Sequence, residues 1–113
     1  MTIDSGTLEE IPLGPGPNDA AFLSIPYASA PVGKLRWRSP QLPSKWTEIR
    51  NAKAYGPACP QTPSTWLPEM LGIPKMKTDE ACLYLNARTP ELTGKAKLPV
   101  FVWMHGGYLT LPA

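Results

Sequence analysis

The residues that could take part in chemistry are concentrated at residues 105–107. His105 is the only histidine of the chain, and Gly106 and Gly107 follow it directly. Because glycine adopts backbone conformations that other residues avoid, a glycine pair lets the chain turn sharply and pass close to a ligand. The apolar run Val-Phe-Val-Trp-Met at residues 100–104 leads into this pair. The segment therefore predicts a strand whose end places the backbone close to a ligand-binding site. The segment does not itself supply an obvious reactive group.

Nucleophilic catalysis needs a nucleophile, a base and a group that orients the base. None of the six serines lies in a Gly-x-Ser-x-Gly sequence, which is the turn that exposes a serine nucleophile in one large class of hydrolases. There is also no second histidine to act as the base. An intact catalytic triad cannot be built from these 113 residues.

Cys59 and Cys82 are the two cysteines, and with a single histidine they cannot complete a zinc site. We therefore expect no metal. Two reduced, buried thiols and a disulfide are both open interpretations at this point. A disulfide would constrain the proline-rich loop between the two residues and stabilise the fold by about 3 kcal/mol.

The elements that must position these residues are short. The 15 prolines and 9 glycines rule out long regular structure over much of the chain. The pattern predicts a hairpin within residues 2–11, strands at residues 20–25 and 82–87, and a strand at residues 100–104 that is buried on both faces. Almost no helix is expected, and residues 1–113 show no domain boundary.

Composition excludes several classes of function. The net charge is +2, and the basic residues are scattered among acidic ones, so neither a nucleic acid nor an anionic membrane is an expected partner. No apolar stretch approaches the roughly 20 residues needed to span a bilayer. The first residues lack the pattern of a secretory signal, which predicts a cytoplasmic protein.

Five motifs occur in the order found in the type B carboxylesterase and cholinesterase family, and the chain resembles that family over roughly residues 20–108. The motifs are Ile25-Pro26-Tyr27-Ala28 with Pro31-Val32-Gly33 and Leu35-Arg36-Trp37; Trp46; Gly56-Pro57-Ala58-Cys59-Pro60-Gln61; Glu80-Ala81-Cys82-Leu83-Tyr84-Leu85-Asn86; and Leu98-Pro99-Val100 through His105-Gly106-Gly107.

The resemblance implies an α/β fold, of which this chain is the N-terminal strand-and-loop portion of an α/β-hydrolase sheet and is incomplete. It implies a truncated carboxylic ester hydrolase of the serine acyl-enzyme type, acting on a small-molecule ester without a cofactor, and we expect no activity from this portion alone. The alternative is a non-catalytic cholinesterase-like module that binds a protein partner. Because members of the family are often secreted, an extracellular location is the alternative to a cytoplasmic one.

Site residues follow from the same resemblance. Backbone N–H groups of Gly106 and Gly107 would form part of an oxyanion hole, and His105 would not be the general base. Cys59 and Cys82 would form a disulfide, and Arg36 and Glu80 a buried salt bridge, with two solvated charges as the alternative.

Trp66 matches an aromatic that contacts cationic substrates, although packing is the more common role for such a residue. Three positions depart from the family pattern. Ser24 replaces a glycine, Ala81 replaces an aspartate, and Tyr108 directly follows the glycine pair.

Overall fold

The structure is a computed structural model that describes residues 1–15, 18–61, 70, 72 and 76–104. Its strands form two small sheets of three strands each, with the orders β1-β2-β5 and β3-β4-β6. The strands are β1 (Thr2–Ile3), β2 (Gly6–Glu9), β3 (Ile11–Pro12), β4 (Ala20–Pro26), β5 (Arg50–Asn51) and β6 (Tyr84–Thr89), and a short 3₁₀ turn spans Gly33–Leu35.

The first sheet combines a hairpin with a parallel strand. β1 pairs antiparallel with β2, and β2 pairs parallel with β5 so that Leu8 lies opposite Arg50. Gly6 has a φ of +151°, and a Cβ atom there would overlap the indole ring of Trp46. The indole nitrogen donates a hydrogen bond of 2.9 Å to the carbonyl oxygen of Thr7. Glycine at position 6 therefore makes room for the ring that anchors the chain before β5.

The second sheet is antiparallel, with β4 between β3 and β6. The register of β4 against β6 shifts between Phe22 and Ile25, and Ser24 in this bulge has a φ of +57°. Two hydrogen bonds hold Ser24 there: its N–H donates to Oδ1 of Asn86 at 3.0 Å, and its hydroxyl donates to the carbonyl of Ala54 at 2.8 Å. The conformation is one that glycine adopts freely, which gives a physical reason for the glycine expected at this position.

The core lies where the two sheets meet. Leu8 of β2, Ala20 and Phe22 of β4, and Ala52 just after β5 are each almost completely buried. The N–H of Leu23 donates to the carbonyl of Ala52 at 2.8 Å, so backbone hydrogen bonding also joins the sheets. Phe22 is the largest of these side chains, and we expect its burial to contribute most to the stability of the core.

The hairpin within residues 2–11 and the strand at residues 20–25 are confirmed by β1, β2 and β4. The strand predicted at residues 82–87 is present but begins two residues later, at Tyr84. The cause is a turn that continues through Cys82, whose N–H donates to the carbonyl of Glu80 at 3.0 Å.

The prediction of a buried strand at residues 100–104 is wrong for this structure. These residues form no strand, and they are 74–87% exposed. A strand buried on both faces needs neighbouring strands and covering layers, and no strand among the described residues pairs with this segment. The apolar side chains of this segment are therefore not packed into the core of this part of the fold.

Among the residues that the structure describes, no helix has the length and hydropathy to cross a bilayer.

Candidate functional site

The predicted oxyanion segment and the predicted aromatic contact lie outside the described residues. This applies to the oxyanion donors Gly106 and Gly107, to His105 and Tyr108 beside them, and to Trp66. The site that can be built from the structure is the base of the loop between Cys59 and Cys82, together with the segment around Arg36. This region is called the loop base below.

Cys59 and Cys82 form a disulfide, with sulfur atoms 2.07 Å apart and Cα atoms 5.0 Å apart. Backbone hydrogen bonds support the bridge, since the N–H of Ala58 donates to Lys77 at 2.9 Å and the N–H of Asp79 donates to Ala58 at 3.0 Å. The predicted disulfide is thus present. Together, the covalent bond and this short parallel bridge hold the two ends of the loop against each other.

Arg36 and Glu80 form an ion pair, with a distance of 2.7 Å between Nη2 and Oε1. The pair is not buried as the resemblance implied, because the two side chains are 55% and 43% exposed. Solvent screens an ion pair of this kind, and it contributes about 0.5 kcal/mol. Its geometric role is larger, since it joins the segment after the 3₁₀ turn to the loop base.

A tight turn presents Glu80 to Arg36. The carboxylate of Asp79 accepts a hydrogen bond of 2.8 Å from the N–H of Ala81. The following N–H, that of Cys82, donates back to the carbonyl of Glu80. Alanine at position 81 therefore supplies a backbone donor to the turn, although its side chain differs from the expected aspartate.

Trp37 belongs to this site but was missed as a candidate from the sequence. It has a φ of +60°, which is unusual for a bulky side chain. The residue is 91% exposed, and the guanidinium carbon of Arg36 lies 5.7 Å from the ring centroid. Trp37 is the last residue of the Leu35-Arg36-Trp37 motif, but nothing in that pattern predicts its left-handed backbone.

A second feature that the sequence did not indicate is a cleft of about 230 Å³ between the loop base and residues 26–30. Arg50 lines it, and its guanidinium carbon lies 5.6 Å from the ring centroid of Trp46 and 6.0 Å from that of Tyr84. Tyr84 is far from Trp46 and Arg50 in the sequence and lies in the other sheet, so no local signal predicts this cluster.

The described part of the site acts as a scaffold. It holds the loop ends with a disulfide, orients Glu80 through a turn, and connects Arg36 through an ion pair. Within the described residues, no group of three or more His, Cys, Asp or Glu side chains is arranged to hold a metal ion. The arrangement holds neighbouring loops in position.

Comparison with protein families gives a match to the carboxylesterase family over residues 5–112. Carboxylesterase 1E of Mus musculus is 43% identical over 99 residues, which cover 81% of this chain and 18% of that protein. Phenmedipham hydrolase of Pseudarthrobacter oxydans is 46% identical over 89 residues, covering 78% of this chain and 18% of that protein. The chain thus spans about a fifth of the length of these relatives.

Comparison with solved structures also gives matches to esterases. A PNB esterase matches with a TM-score of 0.79 and 34% identity, over 97% of this chain and 21% of that structure. A carboxylesterase of Geobacillus stearothermophilus matches with a TM-score of 0.76 and 32% identity, over 97% of this chain and 20% of that structure. The two small sheets and the loop base are therefore similar to one portion of a larger esterase fold.

Proposed function

The chain belongs to the carboxylesterase family, and on that premise we propose that it supplies the oxyanion segment and its supporting loop base to an enzyme that hydrolyses small carboxylic esters. The observation that carries the proposal is the family match, which extends over nearly the whole chain, residues 5–112. The fold class is that of an incomplete α/β-hydrolase, as the solved esterases indicate.

The proposed reaction is acyl transfer to a serine followed by hydrolysis of the acyl-enzyme. During the first step the ester carbonyl oxygen gains negative charge, and backbone N–H groups pointing at it lower the barrier without having to reorganise. We assign these donors to Gly106 and Gly107. Glycine suits the role because a side chain there would block the approach of the substrate to the backbone.

We assign the loop base a supporting role, which is to restrict the loops that would surround the oxyanion segment. The disulfide and the Arg36–Glu80 pair join three stretches of chain, namely residues 36–37, 58–59 and 79–82. Holding a reacting group in position can account for a large part of a catalytic rate, and small displacements reduce it strongly. The proposal therefore gives Arg36, Glu80 and both cysteines a positioning role.

The nucleophile and the general base are assigned to residues beyond these 113, because no Gly-x-Ser-x-Gly sequence and no second histidine occur among them. The substrate is proposed only as a class. The relatives are named for different compounds, such as phenmedipham and fumonisin B1, so the family match by itself selects no particular ester.

A chimera tests the proposal. Residues 5–112 replace the matched segment of the PNB esterase, and hydrolysis of p-nitrophenyl acetate is measured together with labelling by a serine-reactive phosphonate. We expect the folded chimera to hydrolyse the ester with a burst and to be labelled. Gly107→Val should lower kcat by about 100-fold or more, because its side chain obstructs the oxyanion position.

Gly94→Asn is the matched control. Gly94 lies in a turn with a φ of +70°, where asparagine is tolerated and where an added Cβ meets nothing within 4 Å. Its kcat should stay within about twofold of the parent chimera. A chimera that melts cooperatively but has no activity contradicts the proposal, as does a Gly107→Val variant with unchanged kcat. A burst and a phosphonate adduct on the 113-residue chain alone would overturn the assignment of the nucleophile to other residues.

A further inference from the structure

The cleft beside the loop base contains one charged side chain among the described residues that line it, that of Arg50. Arg50 is half-buried, and its backbone is held by the parallel pairing of β5 with β2, opposite Leu8. No carboxylate of the described residues lies within ion-pairing distance of its guanidinium group. A cation is thus held in a concave site without an anionic partner from this part of the chain.

Two aromatic rings hold that cation in place. The guanidinium carbon lies 5.6 Å from the Trp46 centroid and 6.0 Å from the Tyr84 centroid. Trp46 is itself anchored, because its indole N–H donates to Thr7. Contact with a ring face attracts the positive charge but provides no lone-pair acceptor, so N–H donors of the guanidinium are available to a ligand. A planar carboxylate matches the fork of those donors.

The walls of the cleft suit an apolar body attached to such a carboxylate. Pro26, Pro43 and Leu83 line it together with the two rings, and Ser44 also lines it. Its volume is about 230 Å³, whereas a closed apolar cavity of about 150 Å³ is large enough to bind benzene. The volume of the cleft is thus comparable with that needed for one small ring with an acidic group.

We propose that this cleft, the Arg50 cleft, binds the carboxylate of a small apolar organic acid, with Arg50 as its ligand and Trp46 and Tyr84 holding the guanidinium. Arg50, Trp46 and Tyr84 are not among the residues assigned to the oxyanion segment, and binding in the cleft requires no turnover. The inference is therefore independent of the proposed esterase activity, and the two can fail separately.

Titration of the ¹⁵N-labelled 113-residue chain with benzoate tests the inference. The expected result is saturable shifts at the Trp46 indole, at Tyr84 and at the Arg50 Nε–H, with an affinity of about 1 mM. Benzyl alcohol has the same ring without the charge, and benzylamine has the opposite charge. Both should bind about tenfold more weakly or not at all.

Two variants of Arg50 distinguish the effect of its charge from that of its planar guanidinium group. Arg50→Gln should weaken benzoate binding by about tenfold, and Arg50→Lys, which keeps the charge but loses the planar fork, by about threefold. Arg88→Gln is the matched control, because Arg88 is exposed on β6 and does not line the cleft; its affinity should not change. The inference is overturned if benzoate gives no saturable shift at these residues, if benzyl alcohol binds equally well, or if Arg50→Gln binds as the parent does.

Discussion

β4 and the segment at residues 100–104 are both apolar runs, yet only β4 is packed. Phe22 of β4 is 1% exposed, whereas Phe101 is 84% exposed. β4 has a hydrogen-bonded neighbour on each edge, β3 and β6, while no described strand pairs with residues 100–104. An apolar pattern thus predicts which residues are able to be buried, and the partners available in the folded chain decide whether they are.

Truncating one phenylalanine in each region gives the largest expected difference. Phe22→Ala removes a core side chain at the junction of the two sheets, and the free energy of unfolding should fall by about 3 kcal/mol. Phe101→Ala removes a ring of the same size from an exposed position and should change it by less than about 0.5 kcal/mol. Urea denaturation of the two variants and the parent chain measures both values. Equal losses of unfolding free energy in the two variants would mean that residues 100–104 are packed as β4 is.

The disulfide is the next largest contribution. Replacing Cys59 and Cys82 together by serine should lower the free energy of unfolding by about 3 kcal/mol, because the open loop gains conformational entropy in the unfolded chain. Chemical denaturation of the double variant, compared with the parent before and after reduction, measures the loss. A loss below about 0.5 kcal/mol would show that the backbone bridge between Ala58 and Thr78 is enough to hold the loop base.

The ion pair of the loop base should be weaker. A double-mutant cycle with Arg36→Gln and Glu80→Gln is expected to give a coupling energy of about 0.5 kcal/mol, because both side chains are about half exposed. High salt should reduce this coupling. A coupling above about 2 kcal/mol that is insensitive to salt would instead indicate a pair buried by residues that cover it.

The smallest expected effect concerns the loop that follows β6. Hydrogen bonds from the side chain and N–H of Thr93 lower the pKa of Glu91 in the folded chain, whereas desolvation opposes the shift. The unfolded chain therefore binds the proton first as the pH falls below the usual carboxyl range. The resulting contribution to stability is present above that range and disappears as the pH falls through the lowered pKa.

An NMR titration of the Glu91 carboxyl group measures this pKa directly, and Thr93→Ala should raise it towards the ordinary value. Because the carboxyl group is fully exposed, the effect on the overall stability should be small. A Glu91 pKa that does not respond to Thr93→Ala would contradict the assignment of the shift to that residue.

Local patterns predict the short strands well. The alternation and turn residues of residues 2–11 predict the first hairpin, and the apolar run at residues 20–25 predicts β4. Ser24 was recognised only as a departure from a glycine. Its left-handed backbone follows from the bulge between β4 and β6, which is a property of the pairing and not of the local sequence.

Contacts between distant segments could not be predicted in the same way. The disulfide and the Arg36–Glu80 pair were implied by the family resemblance, but the exposure of the pair depends on what surrounds it. The contact between Arg50 and Tyr84 depends on two strand registers at once, that of β5 against β2 and that of β6 against β4. The roles assigned to Gly106, Gly107 and Trp66 remain predictions, since these residues lie outside the described part of the chain.

Hydrogen exchange of backbone amides in the 113-residue chain tests the contrast between the two apolar runs most directly. The N–H groups of Leu23 and Ser24 are hydrogen-bonded to Ala52 and Asn86 and should exchange slowly. The N–H groups of residues 100–104 should exchange at nearly the rate of an unstructured peptide. Strong protection at residues 100–104, equal to that of β4, would contradict the account.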